Sequence, residues 1–161
     1  PYPSVDIVAD VTALPFPDNS IDMILFKNVL EHVSDPLGAM SEIHRVLKKG
    51  GYLYIKIPFL QPFHAVPDDF QRYTISGVQK LMNEYEELNF GVSVGPGSML
   101  SWMLREFFAI LFSFGNEKMY RGGLIFWGWL TFWLKYLDVF FRKNRLAENL
   151  ASAFWGMYRK K

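Results

Sequence analysis

No cysteine occurs among the 161 residues, which excludes a disulfide scaffold and thiolate metal ligation and fits a reducing compartment. Net charge is nearly absent as well. Seventeen Lys and Arg stand against 16 Asp and Glu, leaving +1, so there is no basic field of the kind that recruits nucleic acid. The chain opens without a charged start followed by a short apolar core and cleavage site, so no secretory signal is read there and a cytoplasmic protein is expected. Internal repeats and low-complexity tracts are missing too. What is abundant is apolar matter. Half of the residues are hydrophobic and 17% are aromatic, too many for a disordered segment and enough for one domain with a buried core.

The first 94 residues alternate between short apolar runs and helical patterns. Val5–Ala9, Ile21–Phe26 and Gly51–Ile57 read as strands, the last stopped by Pro58. Between the second and third lies a well-signalled helix, with Asp35 as N-cap and Pro36 at the first helical position, where its missing N–H costs nothing. Leu37, Met40, Ile43, His44 and Leu47 are expected on one face, Lys48 and Lys49 in the last turn and Gly50 beyond the end. Strand, helix and strand of these lengths predict a right-handed crossover and hence an α/β fold with a parallel sheet. Thr74 can cap a second helix whose Val78, Leu81, Met82 and Tyr85 share a face. Leu88–Val94 reads as a later strand, and Ala151–Tyr158 as a closing one.

In open α/β sheets ligands bind beyond the carboxyl ends of the strands, which here are Asp10-Val11, Lys27-Asn28 and Pro58-Phe59. A carboxylate at Asp10 can accept from an amine, although Asp at a strand exit commonly caps a turn instead. The run Asp10-Val-Thr-Ala-Leu-Pro-Phe-Pro-Asp-Asn-Ser-Ile-Asp22, then Val29-Leu-Glu-His-Val33, then Glu42-Ile-His-Arg-Val-Leu-Lys-Lys-Gly-Gly51 resembles, in order, the central part of class I S-adenosylmethionine-dependent methyltransferases of the UbiE-like type. The resemblance implies a Rossmann-like methyltransferase sheet and S-adenosylmethionine as cofactor. Its adenine would meet Asp10 and Val11, and its methionine end would meet Lys27 and Asn28. The family's glycine-rich loop and ribose-binding acid have no counterpart, because Gly50-Gly51 and Gly95-Pro-Gly97 do not follow a strand and open a helix as required. The chain is therefore expected to be the later portion of such a domain, with the first strands missing, and on its own to bind the cofactor weakly or not at all and to lack measurable methyl transfer.

Methyl transfer from a sulfonium needs its two partners held in line in a water-poor pocket, with a base where the acceptor is a hydroxyl or protonated amine. Three His are available. His32 follows the cofactor loop. His64 lies in Pro62-Phe-His-Ala-Val-Pro-Asp-Asp-Phe-Gln-Arg-Tyr-Thr74, a stretch that resembles methyltransferases acting on saccharide and lipid acceptors. His32, His64 and Asp69 are the candidate catalytic residues, and Arg72 and Tyr73 the candidate acceptor contacts. A loop tied by its own hydrogen bonds is the alternative, and His44 is expected to pack. No metal is expected, since His64, Asp68 and Asp69 match no firm ligand spacing.

Residues 95–145 form an apolar helical insertion between the α/β core of residues 1–94 and a closing strand in residues 150–160. Arg105-Glu106 interrupts its first half. Trp127, Trp129 and Trp133 mark its second half, and Arg142, Lys143 and Arg145 follow. Three readings compete: attachment at a membrane surface, a protein lid or homo-oligomer face, and a spanning helix. The function implied is methylation of a small-molecule acceptor, lipid-linked or saccharide, with a non-catalytic binding or membrane-associated module as the alternative.

Overall fold

The computed structural model describes residues 6–65, 67–141 and 143–161. Val5, Val66 and Arg142, which entered the strand, loop and basic-cluster readings, lie outside them. Four strands form one sheet in the order β1 (Ile21–Lys27), β2 (Leu47–Pro58), β4 (Ala153–Lys160), β3 (Tyr85–Val94). β1 and β2 run parallel, joined by helix α1 (Pro36–Val46), while β4 is antiparallel to both of its neighbours. The expected crossover is present. Its helix is capped as read, with the Asp35 carboxylate accepting from the Gly38 N–H. Thr74 caps α2 (Ile75–Leu81) through the Gly77 N–H.

Period-two burial fixes the core. Leu53, Ile55 and Ile57 of β2 and Phe154 and Tyr158 of β4 are buried, and most of them pack with Met40 and Ile43 of α1 and Val78 and Met82 around α2. The alternate residues Met23, Leu25 and Tyr52 are exposed.

Several boundaries differ from those read off the sequence. Residues 6–9 are irregular, since no neighbouring strand supplies a ladder for them. α1 ends at Val46, and Lys48 and Lys49 already belong to β2, because Leu47 pairs with Ile21 before Gly50, at φ 76°, lets the strand bulge. Leu37 is exposed, and the buried face of α1 is Ala39, Met40, Ile43 and Val46. Tyr85 starts β3 rather than closing the α2 face.

Between β3 and β4 lie α3 (Pro96–Leu111), α4 (Glu117–Thr131), a 3₁₀ segment (Phe132–Leu137) and the short α5 (Asp138–Phe141). Trp127 is enclosed between α3 and α4, its ring 4.7 Å from Phe108 and 5.4 Å from Phe112. Asp138 accepts from the Gly97 N–H at 2.7 Å and from the Ser98 N–H, capping α3 from a distant segment. A side chain at Gly97 would collide with the Leu134 carbonyl. Gly95-Pro-Gly97 is therefore a packing device.

Candidate acceptor cavity and cofactor edge

The motif preceding β1 is held by α1. Arg45 donates to the carbonyls of Leu14 and Phe16 and to the Asp18 carboxylate, and pairs with Glu42 at 2.8 Å. Glu42 in turn accepts the Leu14 N–H at 2.9 Å. The Arg45 guanidinium, helped by that N–H, holds the Glu42 carboxyl down at about 2. Leu14-Pro-Phe16 and Glu42…Arg45 are thus one structural unit, which sets where Asp10 stands. Asp10 is exposed, and its Oδ1 accepts from the Thr12 N–H (2.8 Å) and hydroxyl (2.7 Å). These bonds hold its pKa below the ordinary value. This is the capped turn weighed as the alternative. Both bonds fall on Oδ1, leaving Oδ2 to accept from a ligand. Val11 packs against the core cluster. Lys27 and Asn28 are exposed at the carboxyl end of β1, with Asn28 at φ 51°, a left-handed turn that Asn tolerates, and its N–H on the Lys56 carbonyl.

Beyond β1 a 3₁₀ turn, Leu30–His32, is gripped by the long loop after β2. Gln71 Nε2 donates to the Leu30 and Val33 carbonyls, and the Phe70 N–H donates to the Glu31 carbonyl. That clamp brings His32 and His64 together with ring centroids 5.5 Å apart. His32 Nδ1 meets the Asp68 carbonyl, and its Nε2 lies 3.8 Å from Glu31 Oε1. Glu31 is 1% exposed, and its Oε2 has no hydrogen-bond partner among the described residues. Glu31, His32 and His64 bring one potential ligand atom each to within 4.8 Å of one another. This trio differs from the His64, Asp68 and Asp69 set considered from the sequence.

His64 is oriented from behind. Its N–H donates to Asp69 Oδ2 at 2.9 Å, and its Nδ1 lies 3.1 Å from the Pro62 carbonyl and 3.2 Å from Arg72 Nη2. Asp69 and Arg72 form a two-pronged ion pair, with one bond at 2.6 Å. The Arg72 guanidinium holds the Asp69 carboxyl at about 2. The loop is therefore tied by its own hydrogen bonds and still presents His64 forward.

His64 opens onto a cavity of about 650 Å³. Asn28, Glu31 and Lys56 wall it from the sheet side, and Trp102 and Arg105 of α3 and Lys135 of the 3₁₀ segment from the helical side. Asp69 and Arg72 border a separate shallow recess. Tyr73 lies in a groove between α1 and α2 beside His44, so the structure does not unite it with His64. His44 packs edge-on against Tyr85, and burial lowers its pKa. Glu31, Lys56, Arg105, Lys135 and Ser152 were not singled out by sequence reasoning. Glu31 left a signal as an acid inside the apolar run Val29-Leu-Glu-His-Val33, and Arg105 as a charge inside the apolar insertion; all five converge from separate segments.

A parallel βαβ unit with a polar cavity at the carboxyl ends of its strands, preceded by the Asp10 motif, makes the chain similar in its first third to class I S-adenosylmethionine-dependent methyltransferases and similar to them in fold. Residues 2–55 match the family model described as a methyltransferase domain. The ubiquinone/menaquinone biosynthesis C-methyltransferase UbiE of Coxiella burnetii is 37% identical over 84 residues, 50% of this chain and 34% of that protein. The chain thus spans about a third of the length of that relative. Among solved structures, a SAM-dependent methyltransferase from Methanosarcina mazei superposes with TM-score 0.53 at 15% identity, over 96% of this chain and 66% of that one. The [4+2]-cyclase SpnF does so with TM-score 0.54 at 18% identity, over 94% and 54%. At those identities the likeness shows the fold alone, and a cyclase among the neighbours illustrates that this fold hosts more than one chemistry.

Proposed function

We propose that the protein transfers a methyl group from S-adenosylmethionine to a small-molecule acceptor bound in the cavity between the sheet and α3–α4. The observation that carries this reading is the placement of His64 and the unpartnered Glu31 carboxylate in one cavity, beside Asn28 at the end of β1. Asp10, through its free Oδ2, and Val11 are assigned to the adenine end of the cofactor, and Lys27 and Asn28 to the methionine end. The cofactor supplies an electrophilic methyl on a sulfonium. The chain's own residues orient the acceptor, exclude water and take its proton where it has one to lose.

His64 is the acceptor-facing base, kept in register by Asp69 and Arg72. His32 positions Glu31 and His64 from the far side, so of the three residues assigned to catalysis only His64 faces the cavity. Tyr73 is not assigned a direct role. UbiE is named for quinone methylation, and the exposed apolar surface of α3–α5 suits a lipid-linked acceptor and a protein held at the cytoplasmic face of a membrane. Glu117–Phe141 is long and apolar enough by composition to span one, and only 11% of its apolar window is buried within the fold.

The test is calorimetric titration with S-adenosylhomocysteine, followed by a labelled-methyl assay on a demethylquinone and on a lipid-linked saccharide. In the full-length protein, binding with transfer to either, lost in His64→Ala, is expected. Absence of any binding to the cofactor product would overturn the assignment in favour of a non-catalytic module.

A further inference from the structure

The walls of this cavity carry a chemical demand that the methyl-transfer reading leaves unanswered. Three basic side chains line it, Lys56 from β2, Arg105 from α3 and Lys135 from the 3₁₀ segment, against one carboxylate, Glu31. Three donors on the lining are orphaned among the described residues, Trp102 Nε1 and the two that follow. Ser152 is 1% exposed, and its hydroxyl has no partner among the described residues; neither has the buried Nε–H of Arg105. Arg105 spends another of its nitrogens on Glu106 at 2.6 Å, which fixes the guanidinium in place. The Ser152 backbone is pinned too, its N–H on the Val94 carbonyl and its own carbonyl accepting the Phe59 N–H. Buried donors left without acceptors are costly, and native proteins rarely keep them unless a ligand, an ion or an ordered water supplies the missing partner. Cations and orphaned donors around one enclosure call for a group rich in acceptor oxygens and negative charge.

We infer that the acceptor carries a phosphate-class oxyanion, held by Lys56, Arg105, Lys135 and the Ser152 hydroxyl, with its neutral hydroxyl-bearing part turned towards Glu31 and His64. The inference rests on the reading of this cavity as the acceptor site, but oxyanion binding needs no turnover and is measured separately. The charge arrangement explains why a block so poor in charges places Arg105 and Lys135 where it does. Both lie on the sides of their helical segments that meet the cavity, while neighbouring Phe107, Trp133 and Tyr136 are exposed. Glu31 stays as the one carboxylate on the lining, suited to a hydroxyl and unfavourable to a second anion.

The experiment is calorimetric binding of two matched pairs to the full-length protein, with and without S-adenosylhomocysteine. One pair is glucose 1-phosphate against glucose; the other is dioctanoyl phosphatidic acid against dioctanoylglycerol. The phosphorylated member of at least one pair is expected to bind at least about tenfold tighter, the value of one charge-assisted hydrogen bond. Preference for the sugar phosphate identifies a soluble oxyanion, and preference confined to phosphatidic acid a lipid headgroup. Lys56→Met and Ser152→Ala should each weaken that binding about three- to tenfold, and Lys135→Met similarly. Glu31→Gln should strengthen it by removing the opposing charge. Lys80→Met, in the α1–α2 groove, should leave it unchanged, and circular dichroism checks that each variant is folded. Equal binding of charged and neutral members in both pairs, or a preference indifferent to Lys56→Met and Lys135→Met, overturns the inference. Cofactor-product binding without oxyanion preference sinks this step alone. Oxyanion preference without cofactor-product binding sinks the methyl-transfer reading and keeps the oxyanion site.

Discussion

Asp69→Asn isolates the support behind His64. The Asp69 carboxylate accepts both Arg72 prongs and the His64 N–H, and its side chain is 2% exposed. Hydrogen bonds to a charged group contribute about 1.5–3 kcal/mol each. Asparagine keeps one acceptor oxygen, and Arg72, 22% exposed, recovers some hydration, so the net loss should be about 2–3 kcal/mol. In a chain of this size that lowers Tm by about 4–12 °C.

The pH dependence has a definite sign. Asp69 titrates near 2 in the fold against 3.8 ordinarily, so its contribution is complete above pH 3.8 and is lost as pH falls towards 2. Scanning calorimetry at pH 7, 5 and 3 should show a constant gap between parent and variant at the first two values and a narrower gap at the third. Turnover should fall further than stability explains, because His64 loses its orientation. A variant within about 1 °C of its parent at pH 7, or a gap that widens on acidification, would refute the reasoning.

Four further outcomes are expected. Arg45→Met should free residues 10–20 and raise proteolytic cleavage there at neutral pH, since four of its partners lie on that segment or on Glu42. In the parent, the same loosening should set in as pH falls from 4.5 towards 2, where Glu42 takes up its proton. Asp10→Ala should weaken cofactor binding about fivefold or more by calorimetry, the order of one hydrogen bond. Trp129→Ser with Trp133→Ser should release the protein from anionic vesicles in flotation without changing Tm, because both rings are exposed. Trp127→Ser should instead cost about 1–3 kcal/mol of stability on urea unfolding, as its half-buried ring fills the α3–α4 contact.

The elements best read from the sequence are those whose signals are local. Asp35-Pro36 and Thr74 capped helices as expected, because a cap depends on a few neighbouring residues. The apolar runs Ile21–Phe26 and Gly51–Ile57 hold as strands because each finds a neighbour to pair with in the sheet. Local signals failed where a distant partner decides. Leu47 fits a helical face but is taken by Ile21 of β1, and residues 6–9 have strand composition without a strand to pair with. At the site, His64, Asp69 and Arg72 were legible as a cluster since they share one loop. The cavity wall was not, because Lys56, Arg105, Lys135 and Ser152 come together only once α3 and the 3₁₀ segment fold back over the sheet.

That fold-back also weighs on how the apolar block meets a membrane. Withdrawing Glu117–Phe141 into a bilayer would remove Asp138 from the N-terminus of α3 and Tyr120 from Glu106, which it holds at 2.6 Å. It would separate Thr131 from the Ser101 carbonyl and take Lys135 out of the cavity. Each broken contact leaves a charged or polar group buried without its partner, at a cost of about 1–3 kcal/mol for a neutral group and more for a charged one. Ile125, Trp129, Trp133 and Phe140 are exposed while the helices stay packed, so they can contact lipid without any of those losses. Attachment at the surface would keep the cavity intact, the arrangement that suits entry of an amphipathic acceptor headgroup first.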